Sequence, residues 1–538
     1  METFCDSCRQ HLKNLVELIQ RASENLWQKI KYFFESMQCC CCLKRNKSAP
    51  YRLYKPVLQQ HEKEAAQEFL QHIEEASESN VIDTERLEVL QTLAASENPS
   101  LQQSAALYYL HISEQLKNEM PEKYLEPYCA LLQSNDLEVQ RKASLSLVNL
   151  LVEGNVNKET VVQIGLLEPI LELLGSGDAT VQCNSSACVA TLATSVSNRE
   201  AIAAEGGIRS LLGLAKSYDP RVQQNAVGAI LNLTRSEKTQ LLLCNEGALP
   251  VLILHLQSPD SEVQYYSCSA LTNIASNPRH HLHMLQIGDG ILLKMLLSLM
   301  SSSVVKVCCQ ACYCLRNLSL NEDTQADIVA INFLPQLHEL LKSSSKSVNE
   351  AALTVLSTFS ENHSNTDAIV SEDILKTLGK LLLIHKTSPE ISNYVATIIH
   401  KLATSETQQA IIDSQCVVAV LQALSHLRIH DESLLYVTIC IAELTQHETI
   451  RTRIIQESDV NIAVYLLMLS SQSENIDLSF HAACTISQLG LDDAHFAEVF
   501  SERKLMVQLN RVCQQTAETE QLLQAVLFPK EGDQKQMI

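Results

Sequence analysis

The residues with the clearest chemical potential are four contiguous cysteines followed by a basic segment. Consecutive side chains point in different directions, whereas zinc sites favour cysteine pairs separated by about two to four residues. Clustered cysteines beside basic residues are instead typical substrates for S-palmitoylation. We therefore expect lipidation of these cysteines and attraction of the basic segment to an anionic membrane surface. The cysteines are Cys39, Cys40, Cys41 and Cys42, and the basic residues are Lys44, Arg45, Lys47, Arg52 and Lys55.

Acyl-chain energetics favour more than one modified cysteine in this cluster. Each buried methylene contributes about 0.8 kcal/mol, and a single chain holds a protein only marginally, so durable anchoring needs two chains or more. Position 2 is glutamate, so N-terminal myristoylation is not expected. Any lipid anchor is therefore expected on cysteine.

A second cysteine pair, Cys5 and Cys8, has the spacing of a zinc half-site, with His11 nearby. A mixed site with the Cys39–Cys42 cluster is an alternative to lipidation. It would make the chain a thiol-based metal or redox protein.

Two further groups of side chains have a structural and a chemical interpretation. Cys308 and Cys312 fall on one helix face, where small sulfur side chains commonly fill cores, although a metal or redox role is conceivable. His280, His281 and His283 follow an Asn-Pro pair, which favours a solvated loop over a metal site.

Motifs and composition exclude several function classes. The sequence has no Gly-rich phosphate loop, no H-E-x-x-H and no nucleophile elbow, so no enzyme activity, cofactor or small-molecule substrate is predicted. A net charge of −21 argues against general nucleic-acid binding, which requires a basic surface. The sequence contains no run of about 20 apolar residues, so no transmembrane helix is predicted.

One helical position recurs along most of the chain, at steps of 38 to 45 residues. We call it the register position. It lies ten residues after a recurring apolar residue in most copies, and in five copies a glutamine follows that apolar residue. The register residues are His111, Asn149, Thr191, Asn232, Asn273, Asn317, Thr358, Lys401, Glu443 and Gln488.

Between register positions, glycine ends one short helix and proline often opens the next, as in Gly165 to Pro169 and Gly247 to Pro250. Each unit therefore contains a short first helix, a second helix and a longer third helix. A period of about 40 residues with this layout predicts an all-α, right-handed α-solenoid of nine to ten repeats.

The repeated Gly-x-Leu-Pro, Val-Gln and Ala-Leu-x-Asn-Leu elements resemble the armadillo-repeat family over roughly residues 85–510. The combination with a cysteine-bearing N-terminus is similar to the lipid-anchored armadillo proteins of fungal vacuoles. This resemblance implies a scaffold at an organelle membrane, with roles in contact, trafficking or autophagy. The myristoylated glycine of those proteins is absent here.

The third helices are expected to line a concave groove that binds extended peptide segments of partner proteins. A register asparagine has an amide that can bond both the C=O and the N–H of a peptide backbone, and flanking side chains would read its sequence. The alternative is that each asparagine bridges neighbouring helices and binds nothing. The predicted groove residues are Asn149, Asn232, Asn273 and Asn317, flanked by Arg141, Tyr265, Tyr313, Arg235 and Arg316.

The groove lacks the tryptophan array of the nuclear-import armadillo receptors. The positions four residues before the asparagines hold Leu145, Gly228, Ser269 and Tyr313 instead, which argues against a nuclear-signal receptor. Beyond Thr358, asparagine no longer occupies the register position, so we expect those repeats to support the binding surface without forming it.

The sequence divides into four predicted segments. Residues 1–38 form an amphipathic helix that either caps the array or lies on lipid, and residues 39–60 contain the predicted lipid anchor. Residues 61–513 form the solenoid and residues 514–538 a polar tail. The favoured function is a membrane-anchored scaffold with a cytosolic pool, on the cytoplasmic face of a plasma, endolysosomal or vacuolar membrane. A soluble signalling or junction adaptor is the main alternative.

Overall fold

The structure is a computed structural model that describes residues 58–75, 84–288, 290–371, 373–427, 431–457 and 473–489, together with residues 463, 466, 467 and 470. The predicted N-terminal helix, the Cys39–Cys42 cluster and the polar tail lie outside the described residues. Within them, every regular element is helical. The predicted all-α fold class is confirmed.

The chain divides into two compact units, Met1–Ile274 and Ala275–Ile538. The helices that begin in the first unit are short and follow one another through tight turns. They are α1 (Gln60–Glu75), α2 (Thr84–Ala95), α3 (Pro99–Gln115), α4 (Pro127–Leu132), α5 (Leu137–Glu153), α6 (Lys158–Gln163), α7 (Leu167–Leu173), α8 (Ala179–Leu192), α9 (Val196–Ala204), α10 (Gly207–Leu214), α11 (Pro220–Leu233), α12 (Glu237–Asn245), α13 (Ala248–His255) and α14 (Ser261–Ala275).

The second unit continues the three-helix pattern. Its described helices are α15 (His281–Gln286), α16 (Ile291–Met300), α17 (Val305–Leu318), α18 (Glu322–Ala330), α19 (Leu334–Leu341), α20 (Lys346–Ser360), α21 (Thr366–Ser371), α22 (Ile374–Ile384), α23 (Pro389–Lys401), α24 (Gln408–Asp413), α25 (Cys416–His426), α26 (Ser433–Leu444), α27 (Glu448–Gln456) and α28 (Ile476–Leu489).

The third helices of successive repeats pack against one another within each unit. In the first unit α3, α5, α8 and α11 pack in series, and in the second unit α17, α20, α23, α26 and α28 do so. The apolar residue ten positions before the register is fully buried in copies such as Val139, Val181 and Val222. Each such valine contributes about 1.5–3 kcal/mol by leaving water. The predicted repeat frame is confirmed.

The recurring glutamine caps the turn between the second and third helices. Gln140 donates from Nε2 to the Ser134 carbonyl at 2.8 Å, and Gln182 donates in the same way to Ser176 at 2.7 Å. These carbonyls lie beyond the end of the second helix, where no backbone amide bonds them in helical fashion. The glutamine is therefore a backbone cap.

The turn between the first and second helices requires a left-handed residue. Gly206 has a φ of 80° and Gly247 a φ of 82° there. In the second unit Gly290 still makes this turn, with a φ of 77°, and the later repeats use Asn332, Asp373 and Gln415, with φ of 54°, 56° and 63°. The later repeats therefore keep the turn but place residues with a Cβ at a positive φ, where the backbone is strained.

We predict that Gln415→Gly stabilises the protein by about 1 kcal/mol, because glycine reaches a positive φ without a Cβ clash. The matched control is Gln409→Gly, within the helix α24, which should destabilise by about 1 kcal/mol. Both are measured as shifts in the midpoint of unfolding by circular dichroism. Shifts of the same sign would contradict the assignment of strain to this turn.

Candidate functional site

The register asparagines of the first unit reach back to the preceding repeat. In each case the side-chain Nδ2 donates to an oxygen on or just after the previous third helix. The bonds run from Asn149 to Ser113 Oγ at 3.1 Å, from Asn232 to the Ala190 carbonyl at 2.8 Å and from Asn273 to Thr234 Oγ1 at 3.0 Å. The structure therefore contains the bridging contacts that were the alternative to ligand binding.

The bond made by Asn232 shows why an amide is useful at this position. Ala190 is in the last turn of α8, where the last four carbonyls have no amide partner within their own helix. Asn232 on α11 supplies a donor to one of them from the next repeat. A hydrogen bond of this kind contributes about 0.5–1.5 kcal/mol, and losing it leaves the carbonyl unpaired.

The oxygens of two register asparagines remain without a donor in the described part of the chain. Asn149 is 2% exposed and Asn232 is 4% exposed, and neither Oδ1 accepts a hydrogen bond there. The Ser269 hydroxyl, at a small-residue position on α14, is also buried and unpartnered. The ligand contacts predicted for these asparagines remain a prediction.

Two later register residues keep the inter-repeat contact with different chemistry. Lys401 Nζ lies 2.9 Å from Glu361 Oε1, at the end of the preceding third helix. Gln488 accepts from the Thr445 hydroxyl, which follows α26. Lys401 and Gln488 thus still tie neighbouring repeats together, whereas the hydroxyls of Thr191 and Thr358 donate to carbonyls of their own helices.

A second set of donors caps four of the third helices from the segment that follows each of them. The sequence reasoning missed this set, although a polar residue recurs eight positions after the register. Each side chain donates to a carbonyl six residues back. The pairs are Arg199 with Ala193 at 2.8 Å, Gln240 with Thr234 at 2.8 Å, His281 with Ala275 at 2.7 Å and Gln325 with Ser319 at 2.9 Å.

This capping corrects the interpretation of the histidine cluster. His280 and His281 are buried, and a solvated loop was expected for both. Burial, with His283 and Arg279 nearby, lowers the pKa of His280 and favours its neutral form. The two histidines are structural members of the turn that follows α14.

Arg141, a predicted specificity residue, is paired within the chain. Its guanidinium meets the Asp178 carboxylate through bonds of 3.2 Å and 2.5 Å, and it also contacts Glu138. Asp178 is the N-cap of α8, and Arg141 holds the pKa of that carboxyl at about 2. A ligand carboxylate at Arg141 would have to compete with Asp178.

The remaining predicted flanking residues lie on or just beyond their third helices. The Tyr265 ring lies 5.9 Å from that of Tyr266, and Arg316 donates to Asn317 Oδ1 at 3.0 Å. Tyr313 is 36% exposed. Arg235 follows α11 and stands near Arg199, whose pKa is lowered by burial and then by this second positive charge.

The buried cysteines serve packing in the described part of the chain. Cys308 and Cys312 are 3% and 0% exposed, and Cys308 Sγ donates to the Met300 carbonyl at 3.2 Å. Among the described residues, no group of three or more His, Cys, Asp or Glu side chains is placed to hold a metal ion. Cys5, Cys8 and His11 lie outside the described residues.

No single helix within the described ranges is long and apolar enough to cross a bilayer. One pair, Pro278–Gln286 with Ile291–Met300, passes the length and composition test together but is bent by 98°.

Known proteins share this repeat architecture. Residues 191–408 match the model of the plant U-box protein ARM repeat region. Vacuolar protein 8 of Schizosaccharomyces pombe is 40% identical over 452 residues, which cover 84% of this chain and 80% of that protein. The chain belongs to the armadillo-repeat family that includes vacuolar protein 8.

A second relative and a solved structure are also similar to this chain. Vacuolar protein 8 of Gibberella zeae is 43% identical over 124 residues, or 23% of this chain and 22% of that protein. The crystal structure of an engineered protein, 24% identical, covers 75% of this chain and 99% of its own, with a TM-score of 0.64. That likeness confirms the fold alone.

We predict that Asn232→Ala lowers the free energy of unfolding by about 1–2 kcal/mol, because the Ala190 carbonyl loses its donor. The matched control is Gln224→Ala, two turns earlier on the same helix face, which should stay within about 0.5 kcal/mol of wild type. Urea unfolding followed by circular dichroism measures both. An unchanged stability for Asn232→Ala would show that the amide is free for a ligand.

Proposed function

We propose that this chain is a non-enzymatic scaffold that holds extended segments of partner proteins along its third helices. An acylated N-terminal region attaches it to a membrane. It acts by binding partners and positioning them at that membrane, and it catalyses no reaction.

The observation that carries the segment-binding part is the unused acceptor of the register asparagines. The Oδ1 atoms of Asn149 and Asn232 are buried without a donor in the described part of the chain. A buried acceptor without a partner costs about 1–3 kcal/mol. A backbone N–H from an extended segment would recover that cost once movement of the neighbouring side chains opens the oxygen to the surface, while Nδ2 keeps its bond to the preceding repeat.

Membrane attachment is proposed from the sequence and from the family. Cys39–Cys42 and the basic residues after them supply acylation sites and attraction to anionic lipid. The relatives are named for the vacuole. We infer attachment to the cytoplasmic face of an endolysosomal or vacuolar membrane, with a cytosolic pool, and roles in organelle contact, trafficking or autophagy.

Replacing Cys39, Cys40, Cys41 and Cys42 together with serine should move the protein from membrane to cytosol. Acyl exchange on thioester-linked lipid should label the wild type and leave this variant unlabelled. The matched control, Cys129→Ser, removes an exposed cysteine of the first unit and should change neither result. A wild type that carries no acyl group and stays cytosolic would refute the anchor.

Segment binding is tested with a photo-crosslinking amino acid at Gln224, on the third helix α11, in cells expressing the full chain. Partner peptides identified by mass spectrometry should crosslink there as short extended stretches. The control position is Arg209, an exposed residue of the second helix α10, which should capture far fewer. Equal capture at both positions would contradict a binding surface along the third helices.

A further inference from the structure

Three histidines lie in the segment that follows α14, and the proposed scaffold function does not use them. We call residues 276–283 the histidine turn. His280 is 7% exposed and His281 is 0% exposed, whereas His283 is exposed. His281 Nε2 lies 2.7 Å from the carbonyl oxygen of Ala275, the last residue of α14. A carbonyl oxygen only accepts hydrogen bonds, so Nε2 carries the ring proton.

Other repeats have residues that do not titrate near pH 7 at the two buried positions. The preceding repeat has Thr239 and Gln240 there, and the following repeat has Thr324 and Gln325. Each threonine hydroxyl and each glutamine amide donates to a carbonyl at the end of the third helix before it. The histidine pair therefore replaces a threonine–glutamine pair that forms such a cap without titrating.

The ring of His281 has one nitrogen without a partner. Its Nδ1 is buried and bonds to nothing in the described part of the chain. A second proton on this ring would bury a charged N–H group that has no acceptor, which is costly away from water. The His281 cap is therefore complete only with a neutral ring.

A positive charge is tolerated at this kind of helix end when its donors are bonded. Arg199 holds the equivalent position after α8, and its Nε and Nη2 donate to the carbonyls of Ala193 and Thr194 at 2.8 Å and 2.9 Å. A helix C-terminus also favours a cation in general. What separates His281 from Arg199 is the second N–H of an imidazolium, which would have no acceptor here.

His280 is also held in its neutral form. Burial lowers its pKa, and the charges of His283, His281 and Arg279 lower it further. No carboxylate of the described residues raises the pKa of His280. A proton taken up by this ring therefore meets other cationic groups and no negative partner.

The charged residues on the helices beside the histidine turn are distant from it or cationic. Glu262 is the one charged residue of α14, and it lies in the first turn, at the opposite end from Ala275. α15 has no carboxylate and packs against α16, whose one charged residue, Lys294, is exposed. These helices therefore do not offset a charge on His280 or His281.

Proton uptake favours an open histidine turn over a closed one. An exposed histidine has a pKa of about 6.5, and the pKa of His280 is lower in the folded chain. The closed turn binds fewer protons than the open turn, so its stability is complete above about pH 6.5 and falls as the pH drops below that value. A ring that stays neutral in the closed turn makes opening about tenfold more favourable for each pH unit in that range.

We propose that the histidine turn is an acid-sensitive cap that releases the C-terminal end of α14 as the pH falls below about 6.5. Protonated His280 and His281 leave the interior for water, and the Ala275 carbonyl loses its donor. α14 also carries the register residue Asn273, so the opening reaches a residue of the proposed groove. The inference concerns the fold and holds whether or not the chain is a scaffold.

Hydrogen–deuterium exchange of the full chain at pH 7.5 and pH 5.5 tests the acid-sensitive cap, with rates expressed as protection factors so that the intrinsic effect of pH cancels. In the wild type, protection in the last turn of α14 and in the histidine turn should fall about tenfold or more at pH 5.5. Protection in α8, whose end is capped by Arg199, should change less than about threefold. A similar loss in both helices would indicate general acid unfolding and would overturn the inference.

The variant His280→Thr with His281→Gln introduces the pair found at Thr239 and Gln240. It should match the protection of the wild type at pH 7.5 within about twofold and keep that protection at pH 5.5, because neither new side chain titrates there. The matched control, His363→Gln, changes an exposed histidine in the turn after α20 and should leave the wild-type response to pH unchanged.

A wild type that keeps its protection at pH 5.5 would refute the acid-sensitive cap, and so would a double variant that loses protection as the wild type does. If the double variant is unfolded at pH 7.5, His281→Gln alone serves as the comparison and should reduce the loss at pH 5.5. His255, whose pKa is lowered by burial, bonds the Ala215 carbonyl in the first unit, and its response to pH is read separately at α10 (Gly207–Leu214).

Discussion

The structure depends on donors for the carbonyls at the ends of its third helices. Stacked helices of this length leave four unpaired carbonyls at each C-terminus, and packing removes the water that would otherwise bond them. Side chains from neighbouring elements supply the donors, as Arg199 does within a repeat and Asn232 does from the next repeat. The first role of the recurring polar residues is therefore to supply hydrogen-bond donors to these carbonyls.

This constraint shapes how the surface can bind a partner. A register amide that is committed through Nδ2 to the preceding repeat has only its oxygen left for a ligand, as in Asn149 and Asn232. Selectivity must come from flanking positions, and these differ between the units. Four residues before the register asparagine, the first unit has Gly228 and the second unit has Tyr313.

Much of the fold followed from the sequence because its signals are local and periodic. Burial of Val222 and the left-handed turn at Gly206 both follow from patterns within one repeat. The hydrogen-bond partner of Asn232 could not be predicted in this way, because Ala190 is 42 residues away and the contact forms only when the repeats stack. The burial of His281 was also missed, since a histidine triplet after proline resembles a loop unless its cap role is compared across repeats.

Hydrogen–deuterium exchange of the full chain tests the inter-repeat tie most directly. In the Asn232→Ala variant, amides of both α8 (Ala179–Leu192) and α11 (Pro220–Leu233) should exchange faster than in wild type. The Gln224→Ala variant should leave α8 unchanged. Faster exchange confined to α11, or none in either helix, would contradict the claim that the register position holds successive repeats together.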